Sequence, residues 1–148
     1  MSAAYYALFH LLIADAARIL TPRSPAGLRS LVQRAFGHAE MKGACKGFIR
    51  ADIAIRRNQQ TGELPPSTQT VLSFPLEPAL VEVMNAFVDL QEARHKADYD
   101  LSDQWNRVDV LNKLKMAESA FAKWEQVRDQ SNAMVLMSAF LLQRQWGR

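Results

Sequence analysis

Apolar residues recur at three- and four-residue steps through most of the chain, and no strict alternation persists for more than a few positions. Between residues 3 and 20, Tyr5, Leu8, Phe9, Leu12, Ala16 and Ile19 fall on one face of a predicted helix that Thr21-Pro22 ends. A second pattern opens at Ser24-Pro25, with Ser24 as N-cap and Pro25 at the first helical position. It should carry Leu28, Leu31, Val32, Ala35 and Phe36 inward. Gly37 and Gly43 loosen it, and a helical segment resumes from Phe48 to Ile55.

Residues 58–78 hold Gly62, Pro65, Pro66, Pro75 and Pro78, which interrupt any period, so they predict a loop with a short extended piece at 71–74. Glu77-Pro78 starts a third strong helix, whose stripe of Leu80, Val83, Met84, Phe87, Leu90 and Ala97 runs to about Lys96; residues 98–100 form its exit. A fourth helix is expected from Ser102 or Asp103 through Val110, Leu111, Leu114, Ala117, Phe121, Trp124 and Val127. Nothing helix-breaking follows until Gly147, so it can reach about 60 Å at 1.5 Å per residue, with Ser131-Asn132 as the place for a break. The expected fold is an all-α antiparallel bundle of four to five helices with a long C-terminal helix, one domain over residues 1–148, with 131–148 as a C-terminal extension.

The chain has 148 residues, 49% of them hydrophobic and 22% charged, which excludes wholesale disorder, collagen-like repeats and a disulfide scaffold. A lone Cys45 rules out a cysteine zinc site and suits a reducing compartment, either as a buried small residue or as a reactive thiol. The apolar runs at 3–14, broken by His10, and at 133–142 are shorter than the roughly 20 residues of a bilayer span. The expectation is a cytoplasmic protein without membrane association. Net charge is +3, but residues 18–57 carry nine Lys or Arg against only Glu40 and Asp52. That imbalance points to an anionic partner, nucleic acid first, or to solvated helix faces.

The chain has no phosphate-cradling glycine loop, no His-Glu-x-x-His and no Gly-x-Ser-x-Gly, and no Glu-x-x-His pair of a di-iron bundle is expected. Its three histidines are far apart in sequence, and neither a metal nor a cofactor is expected. Two constellations carry candidate chemistry. Tyr6 and His10 stand four apart on the first helix, displaced from the Tyr5-Phe9-Leu12 stripe: an acid-base pair or a packed aromatic pair. Arg94 and Asp98 have the same spacing on the third, beside the apolar stripe: an active-site cation with its carboxylate, or an ion pair that orders the helix end.

Ser2-Ala-Ala-Tyr5-Tyr6-Ala-Leu-Phe9-His10, followed about eighty residues later by Leu90-x-x-x-Arg94-x-x-Ala97-Asp98-Tyr99 and then by a long amphipathic helix, resembles the HEPN superfamily (higher eukaryotes and prokaryotes nucleotide-binding domain) over most of residues 2–128. The resemblance implies an antiparallel helical bundle, commonly dimeric, of a prokaryotic defence or toxin-antitoxin type. It also implies RNA or nucleotide binding and, in many members, metal-independent ribonuclease activity. Such proteins typically carry a further helix ahead of the Tyr-Tyr motif.

The catalytic Arg, four-to-six-residue spacer, His pattern of that family is absent here. The nearest pair, Arg34-Ala-Phe-Gly-His38, has three residues between and stands away from the Arg94 helix, and the fifth residue after Arg94 is Tyr99. Cleavage would need Arg94 to stabilise charge on phosphorus, and His10, His95 or Tyr99 to move protons. Tyr6, Asp98, Arg34, Lys42 and Lys46 are the candidate substrate-binding residues. The rival expectation is a non-catalytic interaction module that dimerises or pairs with a partner such as a nucleotidyltransferase. Met134, Val135, Met137, Phe140 and Leu141 lie past the expected core pattern, and a large exposed apolar surface there predicts a homodimer or an obligate partner.

Overall fold

The structure is a computed structural model that describes residues 2–100 and 105–146. The described residues form seven α-helices and a short 3-10 turn, with no strand. The helices are α1 (Ser2–Leu20), α2 (Ala26–Gln33), α3 (His38–Arg56), α4 (Pro66–Gln69), α5 (Pro78–Tyr99), α6 (Arg107–Val127) and α7 (Ser131–Leu142); the 3-10 turn spans Gln143–Gln145. The all-α expectation holds, with more and shorter helices than the four to five expected.

Helix α1 is central, packing against α2, α5, α6 and α7, while α5 lies between α1, α3 and α6. The α1 stripe is buried as its spacing requires: Tyr5, Leu8, Phe9, Leu12 and Ala16 meet Leu80, Val83, Met84, Phe87 and Leu90 of α5 in one continuous core. Among the described residues α1 is also the one helix long and apolar enough, by length and composition, to cross a bilayer, contrary to what its His10-interrupted run suggested. Half of its most apolar window is buried within the bundle.

Several expectations need correction. Ser24 does not cap α2; Pro25 takes the N-cap position, and no side chain caps this helix. Leu28 and Leu31 do not point inward. This two-turn helix packs chiefly on α1, so little more than one side of it is covered, and Leu31 remains 61% exposed. No strand forms in 58–78, where Pro65-Pro66 starts the single helical turn α4. That loop is held by polar side chains from outside it. Asp52 of α3 accepts from the Leu76 backbone N–H (2.8 Å), and Asn132 of α7 bonds the Ser73 N–H (2.9 Å) and C=O (2.8 Å).

The long C-terminal helix is the largest departure. The expected start at Ser102 or Asp103 lies outside the described residues. The described helix is capped at Asn106, whose side chain accepts from the Asp109 N–H (2.9 Å) while the Asp109 carboxylate accepts from the Asn106 N–H. It ends at Val127, and the chain turns before Ser131. Asn132, 2% exposed and held by Ser73 and Glu77, anchors the corner. The physical gain is clear: α7 folds back so that Leu136, Met137 and Phe140 fill the core, whereas a straight helix would have left them in water. The segment expected to be an extension is therefore part of the bundle, and only Met134 and Leu142 of it remain as exposed large apolar side chains. Leu111 and Leu114, expected inside, are exposed, because α6 enters the core only from Ala117 onward.

Candidate functional site

Two adjacent tyrosines on α1 have opposite fates, since consecutive helical positions face about 100° apart. Tyr5 points into the core and is fully buried; Tyr6 lies at its edge. Arg94, from the last turns of α5, places its guanidinium 4.9 Å from the Tyr6 ring centre and 5.5 Å from that of Tyr5. Its Nε donates to Asp98 Oδ2 at 3.1 Å, one turn further on. With 25% of its side chain exposed, Arg94 is stacked and paired yet open on one side. A flat, permanently charged group held in this way presents its remaining N–H donors in a fixed direction.

The histidine that joins this cluster is His38, the first residue of α3. Its ring packs against Phe9 at 4.2 Å and lies 5.5 Å from Tyr5 and 6.1 Å from Tyr6. The Tyr5 hydroxyl forms a short hydrogen bond with His38 Nδ1, and Gln91 Nε2 of α5 donates to the His38 backbone carbonyl at 3.1 Å. Because the phenol is buried and burial pushes its pKa well above the usual range, it stays protonated and needs an acceptor. Nδ1 is its one acceptor among the described residues. A neutral imidazole whose Nδ1 accepts carries its hydrogen on Nε2, so the nitrogen left for a ligand is a donor.

Burial first, then the positive charges of Arg94 and His10, lowers the His38 pKa from its ordinary 6.5. The folded protein thus binds a proton at this ring less readily than the unfolded chain does. Stability should be complete above pH 6.5 and fall as the pH drops from there towards the folded pKa. Glu40, held down mainly by its bond from Arg144, and Glu92, held down by Lys42 and Lys46, add losses only below about pH 4.5. The expected result is a melting temperature that declines between pH 6.5 and 5 in the wild type and declines less in His38→Gln. Equal slopes for the two proteins would refute the assignment.

Beside Arg94 a groove of about 820 Å³ runs between α3 and the end of α5, with Lys42, Lys46, Glu92 and His95 on its walls. Glu92 bridges the two lysines at 3.0 and 3.1 Å. Glu92 and His95 do have the Glu-x-x-His spacing used by di-iron bundles. Here the carboxylate is engaged by lysines, and among the described residues no three His, Cys, Asp or Glu side chains gather where they could hold a metal ion.

The structure brings Tyr6, Arg94 and Asp98 together and adds Ser2, whose Oγ is 3.5 Å from Asp98. His10 is exposed and stacks on Tyr6 at 6.2 Å, and it does not line the groove. His95 and Tyr99 pack on each other at 4.6 Å, and Tyr99 is 76% exposed. Lys42 and Lys46 line the groove; Arg34, at the exposed end of α2, does not. The member that sequence reasoning missed is His38, set aside because it follows Arg34 too closely and stands on another helix. Its available signal was its place just after Gly37, at a helix start. Comparison with protein-family models, with curated proteins and with solved structures finds no match to this chain.

Proposed function

We propose that this chain is a HEPN-like, cytoplasmic helical protein of a prokaryotic defence or toxin-antitoxin type that binds RNA through the groove beside Arg94. The observation that carries the reading is the guanidinium fixed over Tyr6 with His38 beside it. Together they offer a phosphate a permanent cation and a neutral N–H donor, and two lysines line the groove that Arg94 borders. Binding rather than cleavage is the activity these groups favour. Taking a proton from a ribose 2′-OH needs a bare nitrogen at the substrate, and donating one from His38 Nε2 would draw on the Tyr5 phenol, which burial keeps protonated.

A second reading, metal-independent cleavage, is favoured by one observation: His95 lines the same groove as Arg94. Purified protein incubated with labelled RNA in EDTA, run on native and denaturing gels, separates the two. A retarded band with intact RNA is the expected outcome. Cleavage lost in His95→Ala would establish the second reading, and neither retardation nor cleavage would overturn both. As a binding module the protein also suits pairing with a second copy or with a partner protein, which sedimentation with and without RNA tests.

A further inference from the structure

The groove beside Arg94 does not end at Lys46. A second hollow of about 650 Å³ shares Gly43 and Lys46 with it and continues along α3 past Gly47 and Arg50 to Trp146. We propose that the joined trough is a track for a single RNA strand: its phosphates follow Lys42, Lys46 and Arg50 away from Arg94, and one base stacks on Trp146. This rests on the reading of the protein as an RNA-binding module and specifies the form of RNA and the path it takes.

Three features support the path. Lys42, Lys46 and Arg50 stand at four-residue steps, so they form a row on one face of α3 with about 6 Å of rise between neighbours, close to one extended nucleotide. Five cations against three carboxylates line the joined trough. The row is at present held by Glu92 (3.0 and 3.1 Å) and Glu63 (2.7 Å), through side chains 28–60% exposed. Exposed pairs of this kind contribute little to stability, so phosphates can take the carboxylates' places.

The platform is the third feature. Trp146 lies parallel to the buried Phe48, with an interplanar angle of 8° and ring centres 6.4 Å apart. It can lie this close to α3 because position 47 is glycine: a Cβ there would meet the indole Cζ3 at 3.0 Å. The ring is thus fixed from behind while it borders the hollow, which suits base stacking without regard to sequence. A duplex, with its bases already stacked on one another, would leave this ring without a partner. That selects a single strand.

The full chain should be titrated with a uridine hexaribonucleotide and, separately, with a twelve-base-pair RNA duplex, following tryptophan emission and anisotropy at several salt concentrations. The expected results are quenching and tighter binding by the hexamer. Trp146→Leu should abolish most of the quenching and weaken binding about tenfold. Arg50→Gln should reduce the slope of log K against log salt by about 0.7, the loss of one phosphate contact on a single strand. If Trp146→Leu fails to fold, the salt slope of Arg50→Gln, altered at an exposed side chain, decides alone. Hexamer binding that requires Arg94 but is unchanged in both variants would overturn the track and leave the RNA-binding reading standing. Preference for the duplex would also overturn the track. No binding of either RNA by the wild type would overturn both.

Discussion

Asp15→Ala should lower the stability of the bundle by about 2–3 kcal/mol, chiefly by orphaning one buried donor. Asp15 sits on α1 among apolar neighbours, 7% exposed, and its Oδ2 accepts the indole N–H of Trp124 at 2.7 Å. Trp124 is the largest fully buried side chain of the core, so its N–H has no water to turn to once the carboxylate is gone. The other groups on Asp15 matter less. Arg18 at 3.4 Å and Arg128 at 3.7 Å have side chains 50% and 39% exposed, and on losing the carboxylate they remain solvated. For a domain of this size the loss corresponds to a drop in melting temperature of about 5–10 °C.

A control separates the hydrogen bond from the charge. Asp15→Asn keeps an oxygen for Trp124 and discards the ion pairs, so it should cost less than half as much as Asp15→Ala. Combining Asp15→Ala with Trp124→Phe should cost less than the sum of the two single changes, because the second removes the donor that the first leaves unsatisfied. Strict additivity, or an unchanged melting temperature in Asp15→Ala, would show that this contact does not join α1 to α6.

The elements the sequence revealed best were those whose period and neighbours agree. The α1 and α5 stripes were legible because each helix is flanked by other helices, and apolar spacing then maps directly onto burial. The same rule misled at Leu28 and Leu31, where a short helix has the period but packs chiefly on one neighbour. At the α6–α7 corner it left a break at Ser131-Asn132, where the chain does turn, but not the reversal of direction. Both legs of a helical hairpin keep a 3.6-residue period, and the reversal is enforced by Asn132 reaching Ser73, 59 positions away in sequence. Of the site, the members Tyr6, Arg94 and Asp98 were legible from i, i+4 spacing beside the apolar stripes of two helices. His38 was not: its partnership with Tyr5 exists only because the start of α3 lies against the middle of α1 and the end of α5, and no local spacing encodes that.

Arg94→Ala should reduce RNA affinity at least tenfold while leaving the fold nearly intact. The stability cost is bounded by what Arg94 now does. Its bond to Asp98 is a partly exposed i, i+4 pair, and its stacking on Tyr6 is worth about 0.5–1 kcal/mol at a site of this exposure. The melting temperature should therefore fall by a few degrees at most. In the proposed function, binding should depend on the same group much more strongly, since hydrogen bonds to a phosphate from a preorganised guanidinium are among the stronger polar contacts. Arg94→Lys keeps the charge but not the plane or the fork of donors, so it should recover only part of the affinity. A second readout does not depend on RNA at all. Next to burial, the Arg94 charge is the largest influence holding the His38 pKa down, so removing it should move the His38 titration, followed by NMR of the ring protons, back towards 6.5. An Arg94→Ala protein with wild-type RNA affinity and an unmoved His38 titration would remove Arg94 from the site. Lost affinity would place Arg94 on the RNA, and the shifted titration would show that its charge acts on His38.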